Sequence, residues 1–205
     1  MNWIQSALMG FVSGLAEPMP LSAEAHRGLM SRLMGTGTVP PLFLLSCHLA
    51  VLIVVLLGGN LDIQRLRKTS KLLKTPARRR TGHPDLNSAG TLRLLRSAVI
   101  LALAGRLLSY YMAESAYRLW LVAILLVLGG FVIWAPAHMR TANKDGRHLT
   151  ALDGTLMGLG ALLAAIPGFS LVGGVTAIGS MLCVQRRYAV RFAWLLLCVD
   201  LAAAV

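Results

Sequence analysis

The run LWLVAILLVLGGFVIWAP, from Leu119 to Pro136, holds no formal charge, and eleven of its eighteen residues are Leu, Ile, Val or Phe. At about −0.3 to −0.6 kcal/mol each, those residues alone favour insertion into a bilayer by about 3 to 7 kcal/mol. Trp120 and Trp134 stand near the two ends, where amphipathic rings prefer the membrane–water interface. Three further stretches read as spans: Leu42 to Gly59, which contains Ser46, Cys47 and His48 but no formal charge; Ser97 to Ala113, with Arg106 inside; and Ala189 to Val205, with Arg191 and Asp200. An arginine at mid-membrane costs about 2.5 to 3.5 kcal/mol on the insertion scale, so Arg106 is expected to snorkel or to face the protein interior. Composition agrees. The chain is 56% hydrophobic and 14% charged, against about 25% charged in an ordinary soluble domain. That excludes a disordered chain and argues against a soluble globule, and an all-α, multi-pass membrane protein follows.

The net charge of +12 arises from 20 Lys and Arg against 8 Asp and Glu. Ten of the basic residues fall between Arg65 and Arg96, flanked by apolar runs. The positive-inside rule accounts for such a cluster without nucleic acid as a partner. The 61–96 segment and the 138–149 loop, with Arg140, Lys144 and Arg147, are therefore expected on the cytoplasmic side, together with Arg186 and Arg187. The link from Glu114 to Arg118 is expected outside. Cys47, Cys183 and Cys198 lie in apolar runs with neither disulfide nor zinc spacing, and read as small buried hydrophobes. No basic segment precedes the first apolar stretch, so no cleaved signal peptide is expected.

Two apolar stretches depart from the simple span pattern. Trp3 to about Leu21 runs into Glu17, Pro18 and Pro20, and Ala151 to Val184 is interrupted by Pro167-Gly168 and Gly173-Gly174. Both read as broken, re-entrant helices, which membranes tolerate where protein or a watery cavity surrounds the irregular backbone. They also resemble each other: Leu8-Met9-Gly10 precedes Ser22 by the same interval at which Leu156-Met157-Gly158 precedes Ser170, with Pro20 and Pro167 shortly before each serine. Matching breaks in two halves point to an inverted repeat around a binding site. The expected organisation is one membrane domain: about four spanning helices plus two re-entrant hairpins. It divides into a first repeat at 1–60, a basic cytoplasmic loop at 61–96, two spans at 97–137, and a second hairpin with a final helix at 151–205.

The chemistry-bearing residues gather at the breaks. Glu17 is an intramembrane carboxylate, costly unless paired, protonated or bound to a metal. It could hold a divalent cation; Ser22 could be a nucleophile or a phosphate donor, and His26 a general base or a phosphate ligand. A helix-capping loop with Glu17 and His26 facing water is the plain alternative. In the second stretch, Gly168, Gly173 and Gly174 would let backbone N–H groups approach an anion, with Ser170 and Thr176 adding hydroxyls. Close helix packing through the glycines is the competing reading.

The run GFVSGLAEPMPLSAEAH resembles the N-terminal signature of the undecaprenyl-diphosphate phosphatase family, the bacitracin-resistance proteins, and PGFSLVGGVT resembles that family's second motif. Arg187-Tyr188-Ala189 with Phe192 resembles a third. The resemblance implies a multi-pass enzyme of the bacterial cytoplasmic membrane. Such an enzyme removes one phosphate from the polyprenyl diphosphate carrier of cell-wall synthesis, at two re-entrant hairpins, with a divalent cation, magnesium or calcium. Carried over, it makes Glu17 a ligand of metal or diphosphate, His26 catalytic or phosphate-binding, and Gly168 and Ser170 parts of a phosphate loop; Ser22 matches the first signature serine. Thr176 matches with one residue inserted before it. Against the family pattern, Ser13 stands for a first glutamate, Ala23 for a second serine, Leu171 for a loop arginine and His48 for a polar glutamine. Arg27 or Arg106 would then have to supply the missing guanidinium. The chain stops one span after the second hairpin, so the second repeat is expected to be incomplete. These departures leave a second reading, a relative that binds or transports polyprenyl phosphate without hydrolysis, and a third, a structural or inactive copy.

Overall fold

The computed structural model describes residues 1–80, 82–112, 118–138 and 143–205. Among them the chain forms helices only, apart from one isolated bridge between Lys144 and Val184. They are α1 (Trp3–Ala16), α2 (Ala23–Leu33), α3 (Pro41–Gly58), α4 (Asn60–Lys74), α5 (Leu86–Met112), α6 (Leu119–Trp134), α7 (Ala151–Leu163), α8 (Leu171–Met181) and α9 (Arg186–Ala204), with short 3-10 turns at Ala77–Arg79 and Ala135–His138.

Local chemistry sets most of the boundaries. Asn2 and Gln5 form a reciprocal capping box at the start of α1, and Thr150 with Asp153 forms another at the start of α7. Pro41 opens α3, where its missing N–H costs nothing. Pro18 and Pro20 end the first apolar stretch, because proline has no N–H with which to continue the helical hydrogen bonds. Pro167-Gly168 does the same in the second, and Gly168 takes φ +104, a left-handed value that glycine adopts without strain.

Helices α1 and α2 make one hairpin, α7 and α8 another. The base of the first is tied by Gln5 Nε2, which donates to the Met34 carbonyl at 3.2 Å. The base of the second lies at the basic end of the molecule: Arg93 donates to the Leu149 carbonyl at 3.1 Å, and the Lys144 N–H to the Cys183 carbonyl at 2.9 Å. The tips touch. The Gly168 N–H donates to Ser22 Oγ at 3.0 Å, Ser170 Oγ donates to the Met19 carbonyl at 3.2 Å, and Trp194 Nε1 of α9 donates to the Pro18 carbonyl at 3.0 Å.

The core is built on α5 against α7, closed by α8 and α9, around Leu94, Ala98, Met157, Phe192, Leu196 and Leu197. The α5–α7 contact is near backbone-to-backbone: a Cβ on Gly154 would lie 2.8 Å from Leu94 Cα, and one on Gly158 2.9 Å from Ala98 Cα. Small residues at this spacing permit close helix approach where hydrophobic burial gives little drive. Two helices present apolar side chains outward: Leu42 and Leu57 on α3 and Val127 and Phe131 on α6 are all more than half exposed, while Arg27, His48 and Asp200 are buried inside. Water-soluble domains show the opposite arrangement.

Several expectations change. Among the described residues, α3 alone is long and apolar enough to cross a membrane by length and composition, with a mean hydropathy of 2.5; α6 is 16 residues, and α5, though 27, carries Arg93, Arg96 and Arg106. The 61–96 segment is not a loop. Its apolar residues Ile63, Leu66 and Leu73 recur at helical intervals and form α4, and its end is the first turns of α5. Cys183 is exposed rather than buried, because it holds the left-handed position (φ 61) that ends α8, with the Val184 N–H reaching the Gly179 carbonyl at 2.9 Å. The Glu114 end of the expected outer link and Arg140 lie outside the described residues.

Candidate active site

Where the hairpin tips cross, a slot of about 50 Å³ opens, room for roughly 3–5 waters or a single phosphoryl group. The first residues of α2 and of α8 both line it. Ser22 and Ser170 are the N-caps of those helices: Ser22 Oγ accepts from the Ala25 N–H at 3.4 Å, and Ser170 Oγ from the Gly173 N–H at 3.2 Å. Two helix N-termini thus point partial positive charge into one space.

Side chains complete it. Glu17, at the C-terminal end of α1, accepts from Arg27 Nη1 of α2 at 2.8 Å, with both side chains nearly buried. Arg106 of α5 is paired through Nε and Nη2 with the two carboxylate oxygens of Asp200 on α9. Glu24, in the first turn of α2, is the third carboxylate of the slot and has no ion-pair partner among the described residues. Ser22 Oγ accepts two amide hydrogens while its own hydrogen has no acceptor among the described residues, which leaves that hydrogen for a ligand in the slot.

The sequence candidates separate here. Glu17, Ser22 and Ser170 line the slot. Gly168 sits beside it, its N–H taken by Ser22 and a Cβ barred by Leu125 C at 2.7 Å. Gly173 and Gly174 do not line it: α8 begins at Leu171, so they lie in its first turn, where their N–H groups bond to Ser170, Gly173 faces Ile133 and Gly174 meets the backbone of Gly160. Thr176 Oγ1 bonds back to the Val172 carbonyl at 2.7 Å and faces a separate cleft with Ile133 and Pro136. His26 also lies off the slot, its Nδ1 2.7 Å from the Ser22 carbonyl one turn earlier in its own helix. The imidazole beside Glu17 is instead that of His48, whose Nε2 lies 3.4 Å from the same oxygen. Glu24, Arg27, Arg106 and Asp200 assemble with no shared motif. The signal for Arg106 and Asp200 was their isolation, as single charges of opposite sign in two apolar stretches.

The residues around Glu17 leave few oxygen donors for a divalent cation. One oxygen of that carboxylate already holds a guanidinium, and the buried atoms left without hydrogen bonds nearby, Ser13 Oγ and His48 Nε2, are a hydroxyl and an imidazole rather than the anionic oxygens magnesium favours. Among the described residues no group of three or more His, Cys, Asp or Glu converges to hold a metal.

The sequence pattern of the family described as "Bacitracin resistance protein BacA" matches residues 6–205. The chain belongs to this family. Relatives named undecaprenyl-diphosphatase agree with the assignment to the BacA family. The protein from Micrococcus luteus is 29% identical over 197 residues, covering 96% of this chain and 70% of the relative. The one from Nocardioides sp. is 29% identical over 196 residues, 95% of this chain and 70% of the relative. That from Paenarthrobacter aurescens is 30% identical over 198 residues, 96% and 70% respectively. The tip-to-tip crossing thus falls within the part of the chain that the BacA pattern covers.

Proposed function

We propose that this protein hydrolyses undecaprenyl diphosphate to undecaprenyl phosphate and inorganic phosphate, in the slot between the hairpin tips, and so recycles the carrier lipid of bacterial cell-wall synthesis. The convergence of Arg27 and two capped helix N-termini on one slot, in a chain of the BacA family, carries this reading. At 1.5 Å per residue, α1, α2, α7 and α8 are each about 16–21 Å long, too short for a ~30 Å hydrocarbon core. On this reading the hairpins are re-entrant, enter from opposite faces and meet inside the bilayer as an inverted repeat. Arg106 lies about 30 Å along α5 from its first residue, so the slot opens toward the face away from the basic segments, the outer face of the cytoplasmic membrane.

In this reaction the terminal phosphoryl group sits in the slot, with Arg27 and the Ser22 hydroxyl donating to its oxygens. Water attacks the terminal phosphorus. Its proton passes to the Glu24 carboxylate, the bond from that phosphorus to the bridging oxygen breaks, and the lipid leaves as its monophosphate. We assign the divalent cation of the family resemblance to the diphosphate substrate rather than to Glu17, and no step depends on it.

The test uses purified protein in detergent with undecaprenyl diphosphate, with products read by phosphorus NMR. Inorganic phosphate and lipid monophosphate are expected in equal amounts, with kcat lowered about 10²–10⁴-fold in Glu24→Gln. Release no faster than from empty micelles, with binding retained, would leave the protein a carrier of polyprenyl phosphates instead.

A further inference from the structure

Arg106 is the only charge between Ser97 and Met112, and Asp200 the only one between Phe192 and Val205. Their pairing ties α5 to α9, yet such a tie is a weak reason to keep two buried charges: replacing a buried ion pair with apolar residues of similar volume is often neutral or stabilising. The geometry shows what the pair leaves open. Asp200 engages Nε and Nη2, one edge of the guanidinium. Nη1 has no protein acceptor among the described residues, and the arginine side chain is 22% exposed against 8% for the aspartate. Both residues line the slot with Arg27 and Ser22. Arg27 is arranged alike, one nitrogen held by Glu17 and the others without acceptors among the described residues. Two guanidiniums from different helices, each anchored by a carboxylate from another element, therefore face one small space with their free donors. A planar fork held this way is pre-organised for phosphate oxygens, and its anchoring carboxylate fixes the orientation.

We infer that Arg106 is a second phosphate-binding guanidinium of the slot, opposite Arg27, and that Asp200 is its positioning residue. This rests on the proposed lipid-diphosphate reaction and adds a residue to its machinery. A phosphoryl group between Arg27 and Arg106 is gripped from two sides, and charge developing on its oxygens in the transition state meets donors already in place.

The deciding experiment compares wild type with Arg106→Met/Asp200→Leu, which removes both charges and keeps apolar volume, in two readouts: phosphate release from farnesyl diphosphate, and calorimetric binding of inorganic diphosphate. The double variant is expected to melt like wild type, to release phosphate about 100-fold more slowly, and to bind diphosphate at least about 10-fold more weakly. Wild-type rates and affinity in a folded double variant would overturn the inference and reduce the pair to a structural tie. Should the double variant fail to fold, Arg106→Lys decides: it keeps the charge and the link to Asp200 but loses the fork, so a raised KM with weaker diphosphate binding supports the role and unchanged values overturn it. If wild type releases no phosphate, the hydrolase reading falls, and the difference in diphosphate binding between wild type and the variant still judges Arg106 by itself.

Discussion

Glu17 stood out in the sequence because a carboxylate beside Pro18 in an apolar stretch demands a partner, but the partner was not readable. Arg27 lies ten residues on, and only the turn at Pro18–Leu21, which brings α2 back along α1, carries its guanidinium to the carboxylate at 2.8 Å. His26 was the more conspicuous neighbour; its place one turn from its own N-cap sends the imidazole to the Ser22 carbonyl and off the slot. Ser22 and Ser170 were recognised as polar groups at the breaks, while their capping role depended on where α2 and α8 begin. Capping also governs Asp85, which accepts from the Ser88 hydroxyl at 2.6 Å and from the Ser88 and Asn87 N–H groups at the start of α5. The Ser88 hydroxyl bond, with those backbone bonds and Arg65 nearby, holds the Asp85 carboxyl below its ordinary range. A lowered folded-state pKa gives stability that is fully present above the unfolded value of about 3.9 and is lost as pH falls through the folded value. Asp85→Ala is therefore expected to lower stability by about 1 kcal/mol at neutral pH, with a smaller loss at pH 2.5; thermal melts in detergent at the two pH values check it, and equal losses would contradict it.

Proline marked both hairpin turns in advance, and the two serines matched by spacing, Ser22 and Ser170, each cap a helix. The contact between the hairpins was not visible, because the Ser22 and Ser170 hydroxyls meet a backbone N–H and a backbone carbonyl of the other tip, groups that carry no sequence signature. The glycines divided in a way composition could not show: Gly154, Gly158 and Gly174 allow helices to touch, whereas Gly168 alone is needed for its backbone angle as well as its size. The basic segment misled for a related reason, since its charges concealed the helical spacing of the apolar residues that form α4. The tip makes a sharp prediction. Gly168→Ala places a Cβ against Leu125 at φ +104 and is expected to cost about 2 kcal/mol or more, and, by shifting the N–H that holds Ser22, to slow phosphate release about 10- to 100-fold. A melt and an initial-rate assay read both; an unchanged rate would mean that the tip contact does not position the slot.

Exposed apolar side chains on the outer helices, with a few isolated charges buried inside, are the feature of the whole molecule that the sequence disclosed earliest, through its hydrophobic content and the lone charges in its apolar runs. What it withheld was the closing of those charges into pairs: Glu17 with Arg27 and Arg106 with Asp200 join four helices around one space. Orientation is testable through Cys183, exposed at the basic end, with Cys47 and Cys198 half-buried elsewhere. A membrane-impermeant thiol reagent is expected to label Cys183 in inside-out vesicles and to leave it unlabelled in intact spheroplasts; the reverse pattern would invert the molecule and turn the slot toward the cytoplasm. The most direct measurement is phosphate release in proteoliposomes by Glu17→Gln/Arg27→Gln, which keeps the slot's net charge and exchanges an ion pair for an amide pair. Binding of the lipid's terminal phosphate between the hairpin tips predicts a folded protein whose release rate falls about 100-fold or more; a folded variant that works at the wild-type rate would contradict it.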